Sequence, residues 1–213
     1  MQTAPALLTA AAIPLLAGCS VFGGKAAEEP PYDVERAVGD IEIRTYSPYA
    51  IATTVAKGSR DDALSEGFLR LFDYITGDNA VDAEIAMTAP VLAAPDGAPF
   101  ESMEIAMTAP VLSEASEAGW AVSFVLPDGM TAADAPRPLD PAVTIEDRPP
   151  RRIATYRFAG FNTPTKAEKN RTRLAEWLDA EGLAHQGDWS VAGYHPPWTI
   201  PWLRRYEVWV TLN

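Results

Sequence analysis

Two stretches of this chain, 102 residues apart, share one pattern of residues. The first, Ile41–Thr54, reads IEIRTYSPYAIATT, and the second, Val143–Tyr156, reads VTIEDRPPRRIATY. Each stretch has a β-like run, then a proline, then a second β-like run, and a helical pattern follows soon afterwards. One such unit has too few strands to bury a sheet face alone. The repeat therefore predicts a single domain built from two related β-β-α-β units.

Two helices are predicted, one in each unit. The first lies in SRDDALSEGFLRLFDYITG, where Ser59 caps the start and Gly77 marks the end. Its apolar residues recur at three- and four-residue steps and share one face: Leu64, Phe68, Leu71, Phe72 and Ile75. The second helix is predicted to begin at Thr165, with Glu168 completing a capping box, and to end at Gly182. Short β-rich runs separated by Pro, Gly and Asp make up most of the remainder.

The nonamer EIAMTAPVL occurs twice, as Glu84–Leu92 and as Glu104–Leu112. Its alternation predicts a strand, and its proline predicts a bend or a sheet edge because proline has no N–H for a ladder. The two strands would present Met87 and Met107 to the same space. These methionines either fill the core, which the pattern favours, or line a pocket for a flat apolar ligand, to which thioethers adapt well.

The N-terminal segment predicts export and lipid attachment. Met1–Gly18 carries no charged side chain, and its apolar run is short and broken by two prolines, as in a signal peptide rather than a membrane span. The following LLAGC resembles the lipobox of bacterial lipoproteins, which implies that Cys19 becomes the lipidated first residue. Residues 19–31 then form a flexible tether, and Ser20 implies the outer membrane of a Gram-negative bacterium, facing the periplasm. A plain secretory signal with an incidental cysteine is the alternative.

The composition argues against two classes of function. With 17 Lys and Arg against 29 Asp and Glu, the chain has a net charge of −12, and no dense basic stripe occurs of the kind that a nucleic-acid-binding protein needs. The sequence shows no His, Cys, Asp or Glu cluster at metal-ligand spacing and no glycine-rich phosphate loop. Its one cysteine is assigned to lipid attachment, so no thiol nucleophile remains. We therefore predict a protein that is not an enzyme and does not bind nucleic acid.

Several blocks of the sequence occur together in one known family. They are IAMTAPV with its second copy, GWAVSFVLP, PRPLDPAVTIEDRPPRRIATYRFAGF and AGYHPPWTIPWLRRYEVW. In this order they resemble the SOUL haem-binding protein family over about Tyr32–Asn213. The resemblance implies an α+β fold, a distorted antiparallel β-barrel of about eight strands flanked by two long helices, with a pseudo-two-fold internal repeat. It also implies a SOUL-like haem-binding domain over residues 32–213.

The resemblance places a binding site in a shallow apolar groove beside the first helix. Members of the family associate with haem and other tetrapyrroles, and apolar groove positions in those members correspond here to Phe68 and Phe72. Positions that are basic in those members hold Ser65 and Asp73 in this chain. A histidine proposed to bind iron in some members corresponds to Thr45, so that ligand is absent.

The candidate site residues follow from these correspondences. Ligand-binding candidates are Leu64, Phe68, Arg70, Phe72, Met87 and Met107. Arg70 replaces a basic partner of the propionates only if it faces the groove. His185 and His195 are the candidate axial ligands of haem iron, against the alternative of ordinary loop or partly buried histidines. No metal other than haem iron is predicted.

The predicted function is that of a monomeric envelope lipoprotein that binds haem or a related tetrapyrrole for carriage or buffering. One alternative is the same fold binding another apolar small molecule or a protein partner without haem, because fold does not determine function. A hydrolase acting in the groove is the third hypothesis.

Overall fold

The structure, a computed structural model, describes residues 27–81, 102–195 and 199–213. The predicted signal peptide, Cys19 and the first nonamer with Met87 lie outside the described residues. The described elements are strands, two α-helices and a 3-10 turn, in the chain order β1 (Tyr32–Val38), β2 (Ile41–Tyr46), β3 (Tyr49–Ala56), α1 (Arg60–Ile75), β4 (Asn79–Ala80), β5 (Val111–Ser116), β6 (Gly119–Val125), β7 (Arg137–Pro138), β8 (Val143–Arg148), β9 (Arg151–Ala159), α2 (Pro164–Ala180), β10 (His185–Gly193), the 3-10 turn (Pro201–Leu203) and β11 (Arg205–Leu212).

Nine of the strands form one curled antiparallel sheet, a half-barrel, in the order β1-β2-β9-β11-β10-β5-β6-β3-β8. Strands β1 and β8 are its edges, and no ladder joins them in the part of the chain that the structure describes. The short strands β4 and β7 form a separate two-stranded ladder. The predicted α+β fold, with an antiparallel barrel-like sheet and two long helices, is confirmed, and the sheet is an open half-barrel.

The two halves of the sheet have matching connections. From one side the order is β2-β9-β11-β10, and from the other it is β8-β3-β6-β5, with α2 following β9 and α1 following β3. The registers match as well. Ile43 lies opposite Ala154 in one ladder, and Ile145 lies opposite Ala52 in the other, which is the same pairing shifted by 102 residues. The pseudo-two-fold repeat would produce this correspondence, and the repeat itself stays a prediction.

Local sequence signals account for the helix ends. At α1 the Ser59 side chain accepts a hydrogen bond from the backbone N–H of Asp62, which satisfies a donor that has no partner within the helix. The prediction that α2 begins at Thr165 was wrong. Thr163 caps the helix instead, accepting from the N–H of Lys166, because Pro164 fits the first helical position, where no N–H is needed.

The helices bury two separate apolar clusters on one face of the sheet. The cluster under α1 contains Leu71, Tyr74, Ile75, Val122 and Phe124. The cluster under α2 contains Ile41, Ile43, Leu174, Leu178 and Val210. A third cluster lies on the opposite face of the sheet and contains Tyr46, Ile51, Leu112, Ile153 and Trp209. Since each fully buried side chain of this size stabilises the fold by about 2 kcal/mol, all three clusters hold the sheet in its curled form.

The second nonamer is not the strand that its alternation predicted. Of Glu104–Leu112, only the last two residues belong to a strand, at the start of β5. The backbone N–H groups upstream are used elsewhere: that of Ile105 donates to the carbonyl of Ile75 at the end of α1 (2.8 Å), and that of Ala109 donates to Glu28 (2.7 Å). The segment is therefore held between the helix and the N-terminal arm, here defined as residues 27–31.

Candidate functional site

A groove of about 800 Å3 lies on the helix-bearing face of the sheet. Helix α1 packs on β3 and β6, and α2 packs mainly on β9 and β11. Strand β5 and the C-terminal half of β10, which are neighbours at the middle of the sheet, therefore lie between the two helices. The volume falls within the range of natural small-molecule sites. This groove is the candidate functional site.

The groove floor consists of small and β-branched side chains of three adjacent strands, all on the face of the sheet that carries the helices. Val122 of β6 lies opposite Ser113 of β5, which in turn lies opposite Val191 of β10. The hydroxyl of Ser113 donates to the carbonyl of Val191. Since this polar group already has a partner within the sheet, the floor remains apolar in character here. At Gly193 a Cβ atom would lie 3.4 Å from the ring of Tyr206, so the glycine leaves space for that ring beside the floor.

The wall on the α1 side brings together three of the predicted ligand-binding residues. Leu64, Phe68 and Met107 all line the groove, and Leu69 of α1 lines it as well. Phe72 does not line it, although its ring stacks on that of Phe68 with centroids 6.1 Å apart. The spacing of the apolar residues on α1 thus predicted the wall, while Leu69 was missed because it lies off the stripe that faces the sheet.

Arg70 lies on the other side of α1. Its guanidinium donates to the hydroxyl of Thr54 (2.8 Å) and pairs with Glu66 (2.7 Å) and Asp140 (3.1 Å). It is not among the groove-lining residues, so the condition set for it as a propionate partner is not met. The groove takes its positive charge from Arg204 instead, which the sequence analysis did not select.

One end of the groove is polar. Arg204, His195 and Asn162 line it together with Tyr194 and Tyr206. The Nε of Arg204 donates to the carbonyl of Thr199 (2.7 Å), which fixes the stem of this side chain. As far as the described residues go, the groove thus has an apolar floor, an apolar α1 wall and the guanidinium of Arg204 at its polar end.

The two candidate histidines differ in position. His195 lines the groove, and its Nδ1 accepts a hydrogen bond from the backbone N–H of Arg205 (3.0 Å). In the neutral ring the proton must then reside on Nε2, which makes that nitrogen a donor rather than a metal ligand. His185 lies at the start of β10 and packs edge-on against Trp189 with ring centroids 5.2 Å apart, away from the groove.

A buried ion network on the opposite face of the sheet supports the polar end. The carboxylate of Glu207 is fully buried and accepts hydrogen bonds from both Nη atoms of Arg44, from Nε and Nη2 of Arg205, from the hydroxyl of Tyr194 and from the indole of Trp209. Tyr194 is also one of the residues that line the groove, so its hydrogen bond to Glu207 connects the groove lining to the buried network. Arg205 is thus a carboxylate partner in the core, although the residue before it, Arg204, lines the groove.

The protonation states of this network are set by its contacts. Burial alone would raise the pKa of Glu207, but the hydrogen bonds and charge of Arg44, with the charge of Arg205, lower it to about 2. Burial likewise opposes the charge on each arginine, and Glu207 outweighs that effect and raises the pKa of both. Burial raises the pKa of Tyr194, and the nearby negative charge of Glu207 raises it further. At neutral pH the carboxylate and both guanidinium groups are charged, and Tyr194 is a neutral donor.

Comparison with known proteins identifies the family. The model of the SOUL heme-binding protein family matches residues 27–211. This chain belongs to the SOUL heme-binding protein family. It is 32% identical over 184 residues to heme-binding protein 2 of Homo sapiens, covering 84% of this chain and 82% of that protein. It is 29% identical over 163 residues to heme-binding protein 1 of Xenopus laevis, covering 76% and 78%.

A solved structure shows the same fold at lower similarity. EcmrR in its DNA complex superposes on this SOUL-family chain with a TM-score of 0.52, over 81% of this chain and 57% of that one, at 9% identity. At this identity the likeness concerns fold alone. Within the described residues, no helix has the length and apolar character needed to cross a membrane. The same residues contain no group of three or more His, Cys, Asp and Glu side chains arranged to hold a metal ion.

Proposed function

We propose that this SOUL-family protein binds haem or a related tetrapyrrole in the groove and serves in its carriage or buffering. The observation that carries the proposal is the groove itself, about 800 Å3 in volume, apolar on its floor and α1 wall, with the guanidinium of Arg204 at one end. A porphyrin is flat and apolar with carboxylates along one edge, which is the complementary pattern. The names of the relatives, heme-binding proteins 1 and 2, support the same class of ligand.

Each part of the groove has a role in this proposal. The side chains of Phe68, Val191 and Met107 would pack against the apolar ring system and exclude water from it. Arg204 and the Nε2–H of His195 would donate to the carboxylates. Haem would be a carried ligand, and the proposal is of a binding protein rather than a catalyst.

An iron–histidine bond is not part of the proposal. A histidine that binds metal through one nitrogen normally donates a hydrogen bond from the other. In His195 the Nδ1 atom accepts one from the backbone instead. The residues of the groove fit the porphyrin ring and its carboxylates, and they do not provide an axial imidazole. Affinity would therefore rest on packing and on Arg204, which is consistent with weak binding.

The test is a haem titration of the protein followed by Soret absorbance. We expect a saturable one-to-one change for the wild type. Val191→Trp places an indole on the groove floor, and we expect its affinity to fall by at least about 100-fold because the ring system and the indole would occupy the same space. Val34→Trp is the matched control, since it adds the same group at a position on β1 that is 50% exposed. Its affinity should equal that of the wild type.

A third variant tests the role of His195. His195→Ala removes a donor but no iron ligand, so the position of the Soret band should stay unchanged and the affinity should fall by no more than about tenfold. Loss of the shifted band in this variant would contradict the absence of an iron–histidine bond. Equal affinity of Val191→Trp and wild type would contradict binding in the groove.

The second candidate function is the binding of another apolar small molecule or of a protein partner without haem. Two observations favour it: Nδ1 of His195 is engaged with the backbone, and Thr45 stands where some family members have a histidine. A wild-type protein that is folded and shows no saturable Soret change would exclude haem and leave this candidate.

We also propose that the protein is a lipoprotein of the bacterial envelope, anchored through Cys19. The support is the sequence LLAGC after an uncharged apolar segment. Cys19→Ser removes the sulfur to which a lipid would attach. We expect the wild type in the membrane fraction of a Gram-negative host and the variant outside it, since stable anchoring depends on the acyl chains. Identical fractionation of the two proteins would contradict the anchor.

A further inference from the structure

Four large exposed apolar side chains line the groove or stand within two residues of its lining. On the α1 side, Leu69 and Met107 line the groove and are 59% and 39% exposed. Phe161 precedes the groove residue Asn162 and is 61% exposed, and Trp202 lies two residues before the groove residue Arg204 and is 72% exposed. We call these four residues the rim. Large apolar side chains exposed together around a cleft mark an interaction surface.

The groove lining lacks the acidic side chains that dominate the whole chain. The protein has a net charge of −12, yet the described residues that line the groove include no Asp or Glu and one guanidinium, that of Arg204. This guanidinium also lies over the ring of Phe161, 5.9 Å from its centroid. A surface with aromatic side chains and a cation beside them matches the headgroup region of a bilayer, where amphipathic rings and phosphates meet.

The N-terminal arm also ends at the groove. Ala27 lines the groove, and the arm is held there by the Glu28 carbonyl, which accepts from the N–H of Ala109, and by Glu29, which pairs with Arg205 at 3.0 Å. Glu29 is nearly buried in this pair. Ala27 also packs against the cluster on the opposite face of the sheet, so the 26 residues that precede it join the described chain at a residue that borders both that cluster and the groove.

We propose that the rim is a bilayer-docking surface, with Trp202 and Phe161 inserted among the lipid headgroups and the groove open toward the membrane. This goes beyond the proposed function, because it requires neither haem nor a lipid anchor. It also identifies a source for an apolar ligand, which would enter the groove from the bilayer. If Cys19 is lipidated, the eight residues that lead to Ala27 span at most about 28 Å, which holds this face close to the same membrane.

The first test measures binding of the full chain to phosphatidylcholine vesicles by co-sedimentation, without haem. The double variant Phe161→Gln with Trp202→Gln should lower the partition coefficient at least about tenfold, because two aromatic side chains no longer leave water. The matched control is Val34→Gln with Val38→Gln on the edge strand β1, four strands from β10, where two other exposed apolar residues change in the same way. All three proteins share the N-terminal segment, so its contribution cancels.

The second test reads the position of one side chain. Trp202 is one of six tryptophans, and vesicles of brominated phosphatidylcholine quench only indoles that enter the bilayer. We expect quenching in the wild type that is largely lost in Trp202→Phe. Equal vesicle binding by the double variant and the wild type, or quenching that does not depend on Trp202, would overturn the proposal. Absence of vesicle binding by the wild type would also overturn it and would leave the rim to a protein partner.

Discussion

Replacing Glu207 with glutamine is expected to lower the free energy of unfolding at pH 7 by about 3–5 kcal/mol. The carboxylate is fully buried and accepts two hydrogen bonds from Arg44 and two from Arg205, at 2.7 and 2.9 Å in each case. Glutamine has nearly the same shape without the charge, so both guanidinium groups would lose the counter-ion that they share. Glu42 and Glu29 would remain, but each reaches only one of the two arginines.

Urea unfolding followed by circular dichroism measures this loss. Glu181→Gln is the matched control, because it makes the same change in a surface pair with Arg36 whose side chains are 45% and 35% exposed. That variant should lose no more than about 0.5 kcal/mol. A loss below about 1 kcal/mol for Glu207→Gln would show that the buried arginines are stabilised mainly by other groups.

A milder variant serves if Glu207→Gln does not fold. Tyr194→Phe removes only a hydroxyl, which donates to Glu207 at 2.7 Å from a buried position. Because this hydrogen bond is made to a charged group, we expect a loss of about 1.5–3 kcal/mol. A neutral effect would contradict the importance of the network independently of the first variant.

The network also has a consequence for the groove. Tyr194 lines the groove and donates to Glu207, and the backbone N–H of Arg205 donates to His195, which lines the groove as well. The polar end of the groove is therefore fixed by the same contacts that stabilise the core.

Two features of the fold were accessible from sequence because they depend on repeating patterns: the correspondence of the two units and the apolar stripe of α1. The 102-residue offset aligned Ile43 with Ile145, and each of them lies opposite an alanine in its own ladder. The stripe of apolar residues on α1 likewise predicted that Leu64 and Phe68 share a face, and both line the groove. Backbone geometry fixes which side chains share a face of a strand or a helix, so such a pattern can be read from the sequence before the fold is known.

The polar end of the groove was not predicted because tertiary contacts decide it. Whether Arg204 or Arg70 faces the groove depends on the path of the chain after β10 and on the partners of each guanidinium, which no spacing reveals. The Glu207 network left a signal that was not used. In RRYEVWV, Arg205, Glu207 and Trp209 alternate on one face of an otherwise apolar strand, and charges on a buried strand occur almost only in pairs.

For the second nonamer, the sequence predicted an element that the structure does not contain. Its alternation suggested a strand, but the N–H of Ile105 donates a hydrogen bond to the carbonyl of Ile75 at the end of α1. The side chain of Asn79 holds the neighbouring Met103 through both its amide and its carbonyl oxygen, at 2.8 and 2.9 Å. Backbone groups bonded to a helix end and to an asparagine cannot also form a ladder. This path places Met107 at the groove, where the pattern favoured a core position.

Acid is expected to destabilise the protein by about 3 kcal/mol between about pH 5 and pH 2 through Glu207 alone. Burial opposes the charge of this carboxylate, yet Arg44 and Arg205 lower its pKa from an ordinary value of 4.5 to about 2. The pKa is thus lower in the folded chain than in the unfolded chain. The contribution is fully present above the unfolded value and is lost as the pH falls through the folded value.

Urea unfolding of the wild type at pH 7, 5 and 3 measures this dependence, and the same series on variants assigns it. In Glu207→Gln the group that titrates is gone, so stability should fall less steeply below pH 5 than in the wild type. Glu35→Gln is the matched control: its carboxylate pairs with Arg152 and has a lowered pKa, but it lies at the surface, where solvent screens the pair. That variant should keep the steep dependence. Parallel losses in wild type and Glu207→Gln would contradict the assignment, because the acid sensitivity would then come from carboxylates outside the network.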